Sequence, residues 1–381
     1  MIKNIYIDIT GLSYKYQSGV QNTLWSFIEA ACSEEIRELY KIIFYDCSGQ
    51  INSKIIQNEL INYQNHVSSR NPFLSKSIKL LYDYKVLNFS FISHEDSINH
   101  VWNWGIKSNL NIPNSITIHD LFPFEFPDLF NLKMQKLTQK SVQFAINECS
   151  QIQSVSKHTK NQLVNHASIN PDKISVVYPA INSYYFSEPL YDKELLNNFN
   201  LKSKNYFISI GYLDPRKNLV NQIKAFKVFI KKNNSNVKYA LTGFENSFSK
   251  EILQLLNDPT LKGRVIFLGF ISIEKLKFLL MNSIALLYCS IAEGFGIPII
   301  EAFACRANVI TSNSSSMKEL AEGRGILVNP NSIDEIYFAM IKTIENNYEV
   351  QKESNSIYAA NFTSLNWFKG HFVKNEYELP S

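Results

Sequence analysis

At 381 residues the chain is longer than one hydrophobic core usually serves, so two domains are expected. An apolar content of 45%, with 26 Phe and 20 Tyr against only 13 Gly and 12 Pro, suits a globular protein and argues against an extended disordered tract. The net charge of +4, spread along the chain in both signs, is too mild for a nucleic-acid-binding surface and allows only weak attraction to an anionic membrane.

The five cysteines are Cys32, Cys47, Cys149, Cys289 and Cys305. Their number is odd and none stands in a CxxC pair, so neither a disulfide framework nor a zinc site is indicated. Buried free thiols in a reducing compartment are expected. The start, MIKNIYIDITG, reads as a strand and lacks a basic-then-apolar signal region. No apolar run approaches the ~18 residues that span a bilayer. A cytoplasmic location is the expectation.

In chain order, NIYIDIT (4–10) reads as a strand, 19–33 as a helix and YKIIFYD (40–46) as a strand. FLSKSIKLLYDYKVL (73–87) has helical spacing, with Lys76, Lys79 and Lys85 beside an apolar face. A core-facing helix is the default there, and a membrane-facing one the alternative. SITIHDL (115–121) is a strand entering the aromatic loop FPFEFPD, and 132–147 is a helix. Next come a strand at 151–156, a helix at 157–167 with Ser156 as its N-cap, and a strand at 173–180.

After a loose stretch the pattern restarts near residue 205. Strands are predicted at 206–211, 237–243, 264–270, 283–290 and 307–312. Helices are predicted at 219–232, 249–258, 272–282, 298–306 and 333–346. Apolar strands alternating with amphipathic helices imply parallel sheets covered on both faces. The restart implies two such sheets, with a ligand cleft between them.

One stretch carries chemistry: SIAEGFGIPIIEAFAC, residues 290–305. Pro298 suits a first helical position, so a helix is expected to begin there with Glu301 in its first turn and Glu293 on the loop before it. Gly294 and Gly296 can take positive φ and let a ligand approach the backbone. The N–H groups of a helix start attract phosphate, whereas the two carboxylates suit hydroxyls. A nucleotide-sugar carries both. Two glutamates at this spacing are unremarkable alone. The EGFGIP filling makes the pattern specific, and the missing third glycine sets it apart from a dinucleotide fingerprint.

With that stretch, three more match in order: TIHDLFPFEFPD (117–128), GYLDPRKN (211–218) and ITSNSSSMKELAEGRGILVNP (310–330). Together they resemble the retaining glycosyltransferases of family four, the glycogen-synthase-like class marked by E-x7-E. The resemblance implies an α/β protein of GT-B fold: two Rossmann-like doubly wound domains with a cleft between them. It places an acceptor domain at 1–200 and a donor domain at 201–350. The segment 351–381 holds a last helix that crosses back to the N-terminal domain.

The resemblance also implies roles. Arg216 and Lys217 would bind the donor diphosphate and stabilise the leaving group. Glu301 would accept from the ribose hydroxyls and Glu293 from those of the sugar. The backbone at Gly294, Phe295, Gly296 and Ile297 would lie along the donor. His119 would face the donor sugar, with Asp120 orienting it, and Gly19 would sit at the first β–α turn. The class usually has glycine and proline where this chain has Arg306 and Asn308, positions that support the helix.

The implied function is transfer of a hexose, with retention, from a GDP- or UDP-linked donor to a glycan hydroxyl, such as a lipid-linked O-antigen or capsule intermediate. No metal cofactor is expected, since the basic pair carries the neutralising charge. Peripheral membrane contact at the inner face of the cell membrane fits a lipid-linked acceptor. Two alternatives stay open: a nucleotide-sugar epimerase of the same fold, and a non-catalytic nucleotide-sugar-binding subunit.

Overall fold

A computed structural model describes residues 3–9, 12, 19–45, 96–102, 112–188, 193–211, 215–243, 250–345 and 349–372. The predicted helix at 73–87 lies outside these residues. The chain divides into two compact units, Met1–Ala180 with Ser364–Glu378, and Ile181–Thr363 with Leu379–Ser381.

The first unit begins β1 (Lys3–Asp8), α1 (Gly19–Ala31), α2 (Glu34–Leu39), β2 (Tyr40–Tyr45), β3 (Ser97–Trp102) and β4 (Asn114–Ile118). It continues α3 (Phe122–Glu125), α4 (Leu132–Glu148), β5 (Cys149–Ser154), α5 (Lys157–Ala167) and β6 (Ile174–Val176). The strands pair in parallel in the order β2-β1-β3-β4-β5-β6, so the order reverses between β1 and β3. Ile5, Ile7, Ile116 and Ile118 are fully buried, as strands covered on both faces require. The Ser156 hydroxyl accepts from the Thr159 amide at 3.0 Å and caps α5 as expected. Neither α2 nor β3 was predicted. Ser33 caps α2 by accepting from the Ile36 amide, and β3 carries buried Asn99 and His100, which interrupt the apolar run expected of a buried strand.

The second unit opens with a 3-10 turn (Ser183–Phe186) and α6 (Lys193–Asn198). It then alternates β7 (Tyr206–Ile210), α7 (Leu219–Asn233), β8 (Lys238–Thr242), α8 (Lys250–Leu256), β9 (Val265–Gly269), α9 (Ile273–Asn282) and β10 (Ala285–Tyr288). It finishes α10 (Ile297–Ala304), β11 (Asn308–Ser312), α11 (Ser315–Ala321), β12 (Ile326–Val328), α12 (Ile333–Glu345) and α13 (Glu349–Ala359). All pairs are parallel, in the order β12-β11-β10-β7-β8-β9. Numbered within the unit this is 6-5-4-1-2-3, the doubly wound order whose switch point lies between its first and fourth strands, here β7 and β10. Its core packs Phe207, Phe226, Phe229 and Tyr239, all within 2% of full burial, against Leu287, Ile310 and Met340.

The division falls at Ala180, where the sequence reading placed it near 200. Residues 184–187 join the second unit because the ammonium of Lys277, on α9, donates to the carbonyls of Tyr184 and Ser187. The return comes at Ser364. Helix α13 packs on α10, and only α14 (Ser364–Phe372) belongs to the first unit. There α14 lies along α1, with Trp367, Phe368 and His371 buried around Phe27 and Lys369 paired to Glu35 at 2.6 Å. At Gly370 a Cβ would stand 2.5 Å from Val177 Cγ1, so glycine lets the helix approach this closely.

A buried polar chain ties α14 to the sheet. His371 Nδ1 donates to the Trp367 carbonyl at 2.7 Å, so its Nε2 must accept from the Thr117 hydroxyl at 2.8 Å. Thr117 then accepts from His100 Nε2 at 3.1 Å, and His100 Nδ1 accepts from Ser115 at 2.8 Å. Each ring must be neutral to play both parts. Burial pushes both imidazoles down, His371 to about 3. Among the described residues no helix is long and apolar enough to cross a membrane, and Cys32, Cys149, Cys289 and Cys305 are buried free thiols.

Candidate active site

The site forms in the second unit at the C-terminal ends of β7 and β10, on either side of the switch point. After β7 the chain makes the 3-10 turn Pro215–Lys217. Asn218 follows at φ +56, a left-handed conformation that asparagine tolerates. Its carboxamide donates to the carbonyls of Cys289 at 3.0 Å and Pro330 at 2.6 Å. The Ile291 amide donates back to the Arg216 carbonyl at 2.7 Å. The basic turn and the loop after β10 are thus held together through backbone groups.

Lys217 and Glu293 meet there. The ammonium lies 2.7 Å from Glu293 Oε1 and 2.6 Å from the Tyr288 hydroxyl. The two side chains retain 18% and 11% of their exposure, so the pair is largely withdrawn from solvent. Gly211, at φ +127, passes under the lysine, and a Cβ there would stand 3.3 Å from Lys217 Cε. Arg216 is half-buried in the same turn.

Glu293 is also fixed by its backbone. Its amide donates to Ser315 Oγ at 3.2 Å and its carbonyl accepts from Ser316 Oγ at 2.7 Å. Ser312 and Ser314 donate to the carbonyls of Ser290 and Ile291. This serine clamp from the β11–α11 connection gives residues 312–316 a role that reading the stretch 310–330 as a loop and helix did not assign.

Helix α10 starts one residue earlier than predicted. Gly296, at φ +112, is the N-cap, Ile297 the first helical residue and Pro298 the second. Glu301 therefore sits beyond the first turn, and no acidic residue stands in that turn. Its side chain points inward, with the residue only 8% exposed. Burial raises its carboxyl to about 7, against the opposing effect of a hydrogen bond from the Tyr185 hydroxyl. Phe295 turns its ring into the core, 5.8 Å from Phe362, which leaves its backbone for the role assigned to it.

The remaining predicted residues lie in the first unit. Gly19 is the first residue of α1, after β1. His119 follows β4 and is buried, its ring 6.0 Å from that of Trp102. Burial lowers its imidazole to about 3, so it is neutral. Trp102 Nε1 donates to the Asp8 carbonyl at 2.8 Å, joining the C-terminal ends of β1 and β3 beneath it. Asp120 accepts from the Phe122 amide at 3.3 Å, at the start of α3.

Two family models match the chain: Glycosyltransferase Family 4 over residues 55–183 and Glycosyl transferases group 1 over 192–361. The chain belongs to the family-four glycosyltransferases. Among the relatives of this transferase is the O-antigen chain mannosyltransferase RfbU of Salmonella typhimurium, 32% identical over 232 residues. That match takes in 61% of this chain and 60% of RfbU. The O-antigen chain mannosyltransferase B of Escherichia coli is 24% identical over 315 residues, 82% of each chain. The crystal structure of Anabaena HepE in complex with UDP and glucose superposes with a TM-score of 0.70 at 16% identity, over 96% of this chain and 97% of HepE. Likeness of that kind carries the GT-B fold, two Rossmann-like domains, and no more.

Proposed function

We propose that this family-four transferase moves a hexose, mannose in the first instance, from a nucleoside-diphosphate sugar to a hydroxyl of a growing lipid-linked O-antigen glycan. The observation that carries the reading is the meeting of Lys217 and Glu293 at 2.7 Å beside Arg216 and the buried Glu301, at the switch point of the second sheet. Mannose and O-antigen are what the names of the two relatives suggest.

Arg216 and Lys217 hold the diphosphate and stabilise charge on the departing oxygen, the guanidinium as a fork and the ammonium as a point charge. Glu301 accepts from the ribose hydroxyls and Glu293 from the sugar. The amides from Gly294 to Ile297 run along the phosphate and sugar at the helix start. His119 faces the donor sugar as a neutral ring, with Asp120 beside it and Gly19 at the first β–α turn. The acceptor attacks from the face that the diphosphate leaves, giving retention. With two cations on the diphosphate the reaction proceeds without a metal, at the cytoplasmic face of the membrane where its lipid-linked acceptor lies.

Purified protein with GDP-mannose, UDP-glucose and related donors, and a lipid-linked acceptor, tests this directly. An α-linked mannoside formed from GDP-mannose in EDTA is expected. Product of inverted anomeric configuration would refute retention, and a strict demand for a divalent cation would refute the role given to the basic pair.

A further inference from the structure

Tyr288 ends β10 and is 3% exposed, with its hydroxyl enclosed by the two charged groups of the site. The proton count around it is determinate. The Lys217 ammonium has only hydrogens to give, so Tyr288 Oη accepts at 2.6 Å. The one phenolic proton is left to turn toward the neighbouring Glu293 carboxylate, whose charge helps keep the phenol neutral. Lys217 gives a second proton to Glu293 Oε1 at 2.7 Å. The ammonium thus bridges phenol and carboxylate, and one ammonium N–H is left without an acceptor among the described residues.

We infer that Tyr288 is a positioning residue for the donor diphosphate. Resting on the site proposed above, its hydroxyl holds the Lys217 ammonium at a fixed distance from Glu293, so that the remaining N–H faces an incoming phosphate oxygen. Without the hydroxyl the ammonium loses one of the two hydrogen bonds that fix its orientation and can swing about the Glu293 carboxylate, with which it is already in contact at 2.7 Å. The remaining N–H is then no longer aimed, and a phosphate must order it on binding. Packing alone does not account for this tyrosine, since phenylalanine would fill the same volume and bury no hydroxyl.

The test is Tyr288→Phe, Lys217→Ala and the double variant, titrated calorimetrically with GDP and UDP, and with GMP and UMP, beside the wild type. A hydrogen bond to a charged group predicts that Tyr288→Phe weakens the preferred diphosphate about tenfold. The same change on the Lys217→Ala background should alter affinity by less than about twofold. Monophosphate affinity should hardly move, so the ratio of diphosphate to monophosphate affinity falls. That ratio carries the test even if the variant melts earlier, because general damage lowers both alike. An unchanged ratio, or an equal loss on both backgrounds, overturns the inference. Unaltered diphosphate affinity in Lys217→Ala alone instead refutes the site itself.

Discussion

Glu301 offers the sharpest test of how this site trades stability for binding. Its carboxyl is raised to about 7 by burial, against an ordinary value of 4.5. The folded protein therefore keeps a proton between pH 4.5 and 7 that the unfolded chain has released. Stability contributed by that proton is present below 4.5 and lost as the pH climbs through 7. At 1.36 kcal/mol per pH unit the gap comes to about 3 kcal/mol at pH 8. Glu301→Gln keeps the shape and an acceptor for Tyr185 but has no charge to bury. It is expected to match the wild type near pH 4.5 and to exceed it by about 3 kcal/mol at pH 8. For a unit of this size that is roughly 6–12 °C in melting temperature. The same variant should bind nucleoside diphosphate about tenfold more weakly, since a carboxylate is a stronger acceptor for ribose hydroxyls than an amide. Melting curves from pH 4.5 to 8.5, with calorimetric titration at pH 8, measure both. A variant destabilised equally at both ends of the range, or one that keeps its nucleotide affinity, would show the reasoning to be wrong.

Three further outcomes can be checked. Lys217→Ala should weaken GDP or UDP about 10- to 100-fold by calorimetry, and should lower the melting temperature because a nearly buried Glu293 loses its cation. His371→Gln should be less stable than the wild type at pH 7.5, with the gap closing by about 1.4 kcal/mol per pH unit below 6.5. The sign follows because the native ring stays neutral down to about 3 while the unfolded one takes up a proton; a constant gap in urea unfolding across that range would contradict it. Gly370→Ala should cost about 1–3 kcal/mol, since its Cβ meets Val177 Cγ1 at 2.5 Å, and Val177→Ala should restore part of that loss in the double variant.

The alternation of apolar strands and amphipathic helices was legible because parallel strands covered on both faces are mostly apolar, as YFISI of β7 and ALLY of β10 are. β3 was missed for the opposite reason. It buries Ser97, Asn99 and His100, and these are tolerated because Asn99 pairs with Asn114 at 2.9 Å and His100 joins the chain to His371. Asn99 and His100 find their partners 15 and 17 residues away, and Thr117 carries the chain on to His371, a further 254 residues along, beyond what a local pattern reports. In the site, Glu293, Glu301, Arg216 and Lys217 stood out through EGFGIP and DPRKN, which are local. Tyr288, Tyr185 and the serines at 312–316 did not, because an aromatic at a strand end and serines in a loop are ordinary until the fold sets them against a carboxylate or a carbonyl.

The backbone carries the same signature as the side chains. Asn218 at φ +56, Ser315 at φ +50 and Gly296 at φ +112 are in the left-handed region, and all three border the loop from Cys289 to Ile297. For the two that have a Cβ, the conformation costs on the order of 1–2 kcal/mol each. Asn218 offsets its cost with two carbonyl contacts, and Ser315 with the Glu293 amide. Together with the cost of ionising Glu301, the unit gives up several kcal/mol around one turn. Strain gathered where two loops meet a strand switch is what the proposed anion and hydroxyl site requires, because a relaxed loop would have to be ordered by the ligand at the expense of affinity. Replacing Ser315 by glycine would relieve the strain but remove the hydroxyl that holds Glu293. The fold therefore keeps a strained serine where backbone preference alone would select glycine.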